Sequence, residues 1–296
     1  LTREDRSLVE NLFREHRLKV VISTATLAWG VNLPAHTVII KGTQVYSPEK
    51  GGYVDLSTLD VLQMFGRAGR PQYDMNGGVG IIITAAETIP KYLKILTNQE
   101  PITSRLLPYL SNHINAEVSL GHIASLEDCL AWLKKTFFYV RFQKFVNDDA
   151  ILEGIARTAL IELAEKRLIE YSEKMIRSTD MGRIASYFYI TPDTIDTFSQ
   201  FLVDEMTDIE LLRLFCQAAE FRQITVRIEE ISEISKLQKM VPIPIREEPN
   251  ERLAKVNCLL QCYLCGLPLK GFAMAADMVY ISQSAERIFR CLFELA

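Results

Sequence analysis

The sequence predicts an α/β unit followed by a longer, mainly helical region, and three observations lead there. Val20–Ile22, Val38–Ile40 and Gly80–Ile83 are short runs, rich in β-branched residues and apolar rather than alternating. That pattern suits parallel strands buried on both faces. Helical segments lie between them, giving the alternation of an α/β domain over residues 1–96. Past Pro90, Pro101 and Pro108 the apolar spacing becomes helical and is broken by one short ribbon.

The elements follow in order. Leu1–Glu15 reads as an amphipathic helix with Leu8, Leu12 and His16 on one stripe. Over Thr43–Asp55, Pro48, Gly51 and Gly52 sit between β-prone flanks carrying Tyr46 and Tyr53, which predicts a hairpin. Leu56–Phe65 is helix-like. Ser125 opens a helix, with Asp128 placed for a capping box and Leu126, Leu130, Leu133, Phe137 and Val140 continuing its stripe. A second helix runs from Ala150 to about Arg167. Leu168–Tyr171 and Lys174–Arg177 form a two-stranded ribbon around Ser172-Glu173. From about Thr191 helix follows helix, interrupted by Pro242, Pro244 and Pro249. In the last one Ile288, Cys291, Leu292 and Leu295 form an apolar stripe, and Gln283, Arg287, Arg290 and Glu294 lie on another face. That polar stripe fits either a track for a phosphate backbone or a solvated face.

Composition narrows the function. The chain has 296 residues, 48% hydrophobic and 24% charged, with a net charge of −4. A bulk basic surface for nucleic acid is excluded, so any such contact must come from local arginines. No apolar run reaches bilayer length, and no charged-then-apolar leader opens the chain. Cys258, Cys262 and Cys265 share a helical face, but the four histidines lie far away in sequence. Buried thiols in a reducing compartment account for them better than a metal site, so no metal ligand is assigned.

The densest chemistry is in Gln63-Met64-Phe65-Gly66-Arg67-Ala68-Gly69-Arg70-Pro71. Two arginines three apart present rigid forks of donors matched to phosphate oxygens, and the glycines let the backbone approach a bulky anion. The string suits cations pressed against a phosphoryl group in its transition state, and it equally suits a Gly/Arg-rich surface turn. Upstream lies Ser23-Thr24-Ala25-Thr26-Leu27-Ala28-Trp29-Gly30-Val31-Asn32-Leu33-Pro34-Ala35.

Together the two strings, with their spacing, resemble motifs VI and V of the superfamily-two helicases in the Ski-two-like form. Lys41–Gly51, Val241–Ile245 and Asp277–Ala285 are similar to the spliceosomal members that unwind paired small nuclear RNAs, in their N-terminal cassette. The motif strings are nearly the same in the related helicase of the activating-signal cointegrator complex. A degenerate, non-catalytic helicase-like cassette used for protein contacts is the alternative class. The resemblance implies the C-terminal part of a RecA-like α/β half-domain at 1–96, a winged-helix domain at 97–190 and an all-α helical bundle, the start of a Sec-sixty-three-type unit, at 191–296. Phe145–Asp149 is shorter than the family's usual stretch there.

By the same resemblance Arg67 and Arg70 reach the γ-phosphate of ATP, with Arg70 the finger proper, and Gln63 links phosphate to the rest of the site. Gly30 and Asn32 meet the nucleotide. Thr24, Ala25 and Thr26 contact the RNA backbone, at the strand edge where ligands sit in open α/β sheets. Trp29 either stacks a base or packs within its domain. The hairpin bearing Tyr46 and Tyr53 separates duplex strands. The last helix matches the family's ratchet helix, with Gln283, Ser284 and Arg287 on RNA; Glu286 stands where a small residue is usual. The implied partners are RNA, other spliceosomal proteins and the remainder of the same polypeptide, in the nucleus. No G-x-x-x-x-G-K-[ST] loop or Walker-B acidic box occurs in these residues. The phosphate cradle and the ligands of the magnesium that accompanies ATP are therefore expected outside this chain.

Overall fold

The computed structural model describes residues 3–24, 33, 35–47, 52–69, 77–97, 103–146, 148–172 and 175–296. It separates into two compact units, one of Leu1–Ser47 and Gly52–Ile102, the other containing Thr103–Ala296.

The first unit opens with α1 (Arg3–Arg14). The helix stops short of His16, whose backbone is left-handed (φ 60°), so His16 is not on the helical stripe, and Leu8 is exposed. β1 (Thr37–Lys41) is followed by a hairpin of β2 (Gln44–Ser47) and β3 (Gly52–Asp55). Next come α2 (Thr58–Phe65), β4 (Val79–Ile83) and α3 (Ile89–Leu96). β1 and β4 pair in parallel, Thr37 opposite Val79 through Lys41 opposite Ile83. A small core of Ile40, Leu56, Val61, Tyr92 and Ile95 fills the space beneath them.

Two expectations need correction here. Val20–Ile22 is not a strand: Val20 and Ile22 are exposed, and among the described residues no strand pairs with them. A strand needs partners for its amides and carbonyls. The β1/β4 pair is parallel as expected, but it is not buried on both faces, since Ile39 is 57% exposed and Ile83 52%.

The second unit runs α4 (Leu110–Ser119), α5 (Leu126–Leu133), α6 (Phe137–Phe145), α7 (Asp149–Glu165), β5 (Ile169–Ser172), β6 (Met175–Ser178) and α8 (Asp180–Phe188). Then follow α9 (Pro192–Phe201), α10 (Asp208–Cys216), α11 (Ile228–Leu237), α12 (Arg252–Cys265) and α13 (Phe272–Leu295). The stripe expected from Leu126 to Val140 is divided at Thr136. Its hydroxyl accepts from the Tyr139 amide (3.3 Å), starting a new helix, and Phe137 and Val140 turn outward. The ribbon is the antiparallel pair β5/β6, one residue later than read from sequence.

One continuous core extends from Leu110 to Leu292, across the boundary expected near residue 190. α8 lies close enough that a Cβ on Gly182 would sit 2.1 Å from the Leu168 carbonyl oxygen. The Asn115 amide donates to the Gly182 carbonyl there (2.9 Å). At the centre of α11–α13 is a buried charge cluster. Lys255 Nζ contacts Glu230 (2.7 Å) and Asp277 (2.7 Å) and donates to the Thr225 carbonyl (2.9 Å); Arg227 also pairs with Glu230. Burial pushes the Glu230 carboxyl up, but Lys255 and Arg227 more than offset it and hold it below the usual range.

Candidate phosphate-facing turn and nucleic-acid stripe

α2 carries the first site into place. Ser57 Oγ accepts from the Asp60 amide (3.2 Å), and the Asp60 carboxylate accepts from the Ser57 amide (3.3 Å), a reciprocal cap that fixes where the helix begins. Val61 faces the core, and Gln63 is exposed. After the helix the chain stays coiled: Gly66 N–H donates to Leu62 O (2.8 Å) and Arg67 N–H to Met64 O (3.1 Å). Arg67 is half-buried on this turn.

The turn is fastened to the end of the upstream string. Ala35 N–H donates to Arg67 O (3.0 Å), and Gly69 N–H donates to Ala35 O (2.9 Å), an isolated parallel bridge between Ala35 and Ala68. Two strings distant in sequence thus meet through backbone. Sequence reasoning placed the glycines for anion approach, but the structure gives Gly69 another duty. It is left-handed (φ 56°), and a Cβ there would lie 2.0 Å from Gly78 N; one on Gly78 would lie 2.3 Å from Gly69 N. Gly80 likewise leaves room for the Phe65 ring. The Gly77-Gly78 pair was the sequence signal for this approach. Thr24 is exposed, and Ala25, Thr26, Gly30, Asn32, Arg70 and Trp29 lie outside the described residues.

In the hairpin, Tyr46 and Tyr53 are cross-strand partners with rings edge to face, centroids 5.7 Å apart. Lys91 of α3 pairs with Asp55 at its base (3.0 Å).

In the second unit, Ile288, Cys291 and Leu292 of α13 are buried and Leu295 half-buried, as the stripe predicts. On the other face Gln283 is exposed, whereas Ser284 is buried and accepts from Arg287 Nη2 (3.3 Å). Ser284 therefore backs Arg287 instead of presenting its own hydroxyl. Arg287 Nη1 donates to the Tyr189 carbonyl, and no carboxylate among the described residues lies within ion-pair distance of it. Glu286 is paired with Arg290 (2.7 Å), which spends the carboxylate on its own helix. Of the clustered cysteines, Cys258 and Cys262 are buried and Cys265 is exposed.

The arginine-bearing turn and the arginine-bearing face of α13 lie at opposite ends of the chain, and comparison with known proteins finds a domain match at each end. A helicase conserved C-terminal domain model matches residues 1–72, and a Sec63 Brl domain model matches residues 178–296. One chain thus carries both a helicase C-terminal segment and a Sec63 Brl segment, the combination that the resemblance to the Ski-two-like superfamily-two helicases implies. It is 49% identical to the U5 small nuclear ribonucleoprotein 200 kDa helicase of Drosophila melanogaster and 46% identical to that of Homo sapiens. It is 45% identical to the activating signal cointegrator 1 complex subunit 3-like protein of Dictyostelium discoideum. Each alignment takes in 100% of this chain and 14% of the relative. Each runs over 311 residues, longer than the chain, so the relatives carry residues that this one lacks.

Proposed function

We propose that this chain forms part of an ATP-dependent RNA helicase of the spliceosome that unwinds paired small nuclear RNAs. In this reading it comes from the N-terminal cassette and supplies the arginine-finger side of the ATP site and part of the RNA channel. The observation that carries the reading is the 46–49% identity to U5 helicases along the whole chain. The bridge between Ala35 and Ala68 supports it, because it holds Arg67 in a turn joined to the string that bears Gly30 and Asn32. Arg67 and Arg70 then meet charge developing on the γ-phosphate, and Gln63 orders that contact. Magnesium would supply charge neutralisation on the phosphates, and in this reading its ligands belong to the rest of the polypeptide.

The second unit reads as a winged-helix domain, α4 to α8 with the β5/β6 wing, followed by the helical bundle. RNA runs along α13 past Gln283 and Arg287, with Ser284 behind. The hairpin of Tyr46 and Tyr53 parts the duplex. Spliceosomal proteins, the rest of the polypeptide and a nuclear setting follow from this reading. The identity to the cointegrator-type protein supports a second reading, the same chemistry in that complex.

In the full-length parent, Arg70→Ala should lower kcat by about 10³-fold while RNA affinity stays nearly intact, because the loss falls on the transition state. A loss of RNA affinity at unchanged kcat would assign Arg70 to RNA. The 296-residue chain alone should not turn over ATP, since both sides of the cleft are required. RNA-stimulated hydrolysis by the purified chain would overturn this.

A further inference from the structure

α8 ends on an unusual residue. Tyr189 closes the helix in the left-handed conformation (φ 54°, ψ 45°), where glycine is the ordinary choice. A bulky side chain is strained there, and burial does not compensate, since Tyr189 is 82% exposed. Tyr187, two residues before it, is 76% exposed and sets its ring edge against Phe188, centroids 4.9 Å apart. Two large aromatic faces are thus held open to solvent at one helix end. Strain retained at an exposed side chain points to use by a ligand.

The tyrosines line an open groove of about 960 Å³ together with Ser119, Leu120, Arg183 and Glu294. Arg183 is partly satisfied by Asp180 and by the Ser178 carbonyl. Arg287 of α13 reaches the same place, donating to the Tyr189 carbonyl, so the aromatic groove adjoins the arginine-bearing stripe. Aromatic faces beside arginines take unpaired bases, each face accepting a π-system while the cations follow phosphate. Glu294 refines the match. Its carboxylate disfavours a phosphate within the groove and accepts hydrogen bonds from the exocyclic amino group of a base.

We propose that this groove is a stacking site for an unpaired base of single-stranded RNA, with Tyr187 and Tyr189 as its faces and Glu294 as acceptor for the base amino group. The proposal rests on the reading of α13 as an RNA-tracking helix. It extends that reading to α8 and adds a base preference: bases with an exocyclic amino group, adenine, cytosine and guanine, over uracil.

Fluorescence anisotropy with the 296-residue chain tests it, using oligoadenylate, oligouridylate and an abasic ribose-phosphate strand of equal length. Tyr189→Gly keeps the left-handed turn, so its melting temperature should equal or exceed that of the wild type. Its affinity for oligoadenylate should fall about tenfold, as should that of Tyr187→Ala, with the abasic strand unaffected. Glu294→Gln should narrow the preference for oligoadenylate over oligouridylate. Arg287→Ala should weaken all three strands and lower the salt slope of binding by about one. Unchanged affinity in both tyrosine variants, with the Arg287 effect present, would overturn the stacking site and leave the stripe standing. Absence of RNA binding by the wild-type chain would overturn both.

Discussion

Isoleucines behave differently in the two units. Ile39, Ile81 and Ile83 of the first are half-exposed, whereas Ile114, Ile195, Ile281 and Ile288 of the second are fully buried. Among the described residues the first unit has a five-residue core under a two-stranded sheet, and the second a single core through ten helices and a ribbon. The candidate site residues are therefore positioned by different physics. Arg67 is placed by backbone: a reciprocal helix cap, the bridge at Ala35 and the Gly69–Gly78 approach. Arg287 is placed by packing, because its helix lays Ile288, Cys291 and Leu292 into the core. Disturbing backbone contacts should therefore loosen the first site, and disturbing the core the second.

The largest break in that comparison should come from Lys255→Ala. Lys255 is fully buried between Glu230 and Asp277, and removing it takes the buried cation from between two buried carboxylates, leaving Arg227 to offset them from a longer reach on the Asp277 side. Loss of one partner of such a cluster costs about 3–5 kcal/mol. Denaturant unfolding should show that loss, and hydrogen exchange should show lowered protection in α11–α13 while α2 keeps its own. A loss under about 1 kcal/mol would mean that water or rearrangement satisfies the carboxylates.

Gly78→Ala should act in the opposite place and less strongly. The new Cβ would meet Gly69 N at 2.3 Å and Ala68 C at 2.5 Å, both backbone, so no flexible side chain can give way. Overpacking of this kind costs about 1–3 kcal/mol. The Gly69 amide should lose its exchange protection as the bond to Ala35 O opens, with the core helices of the second unit unchanged. Protection retained at Gly69 would show that the Gly77–Gly78 side moves instead.

The same contrast explains what was legible in the sequence. Where a residue's fate depends on its own element, the reading held: α7, the ribbon, the Tyr46/Tyr53 hairpin and the buried stripe of α13 follow from period and turn chemistry. Apolar runs in the first unit gave chain direction and pairing for β1 and β4, but not burial, because burial depends on what covers a face. Val20–Ile22 failed for the same reason, lacking a pairing partner among the described residues. In the candidate sites, the arginine strings were legible as motifs. The Ala35–Ala68 bridge was not, since it joins backbone atoms without regard to side-chain type. Nor was the burial of Ser284, one position from an exposed Gln283.

The smallest effect sharpens the comparison through pH. Lys166 pairs with both Glu162 and Asp193, joining α7 to α9, and Arg222 also pairs with Asp193. Burial raises both carboxyl pKa values, but hydrogen bonds from Lys166, with Ser111 on Glu162 and Arg222 on Asp193, outweigh it and hold both below the usual range. A carboxyl depressed on folding adds stability that is complete above its unfolded value, about 4, and is lost as pH falls through the folded one. Both groups are more than a third exposed, so screening limits each contribution to at most about 1 kcal/mol. Asp193→Asn should therefore be less stable than the wild type by up to that amount near neutral pH. The two urea-unfolding curves should approach one another as pH falls below about 4 and converge once it has passed through the depressed folded-state value, where the wild-type carboxyl is itself protonated. High salt should narrow the neutral-pH gap and, by weakening the same ion pairs, move the point of convergence up towards the unfolded carboxyl value. The first unit's exchange protection should not change between wild type and variant at any pH, since none of these groups belongs to it. A gap that persists undiminished at low pH would assign the loss to the shape of asparagine at the Thr197 turn, where the Asp193 carbonyl accepts the threonine hydroxyl, instead of to charge.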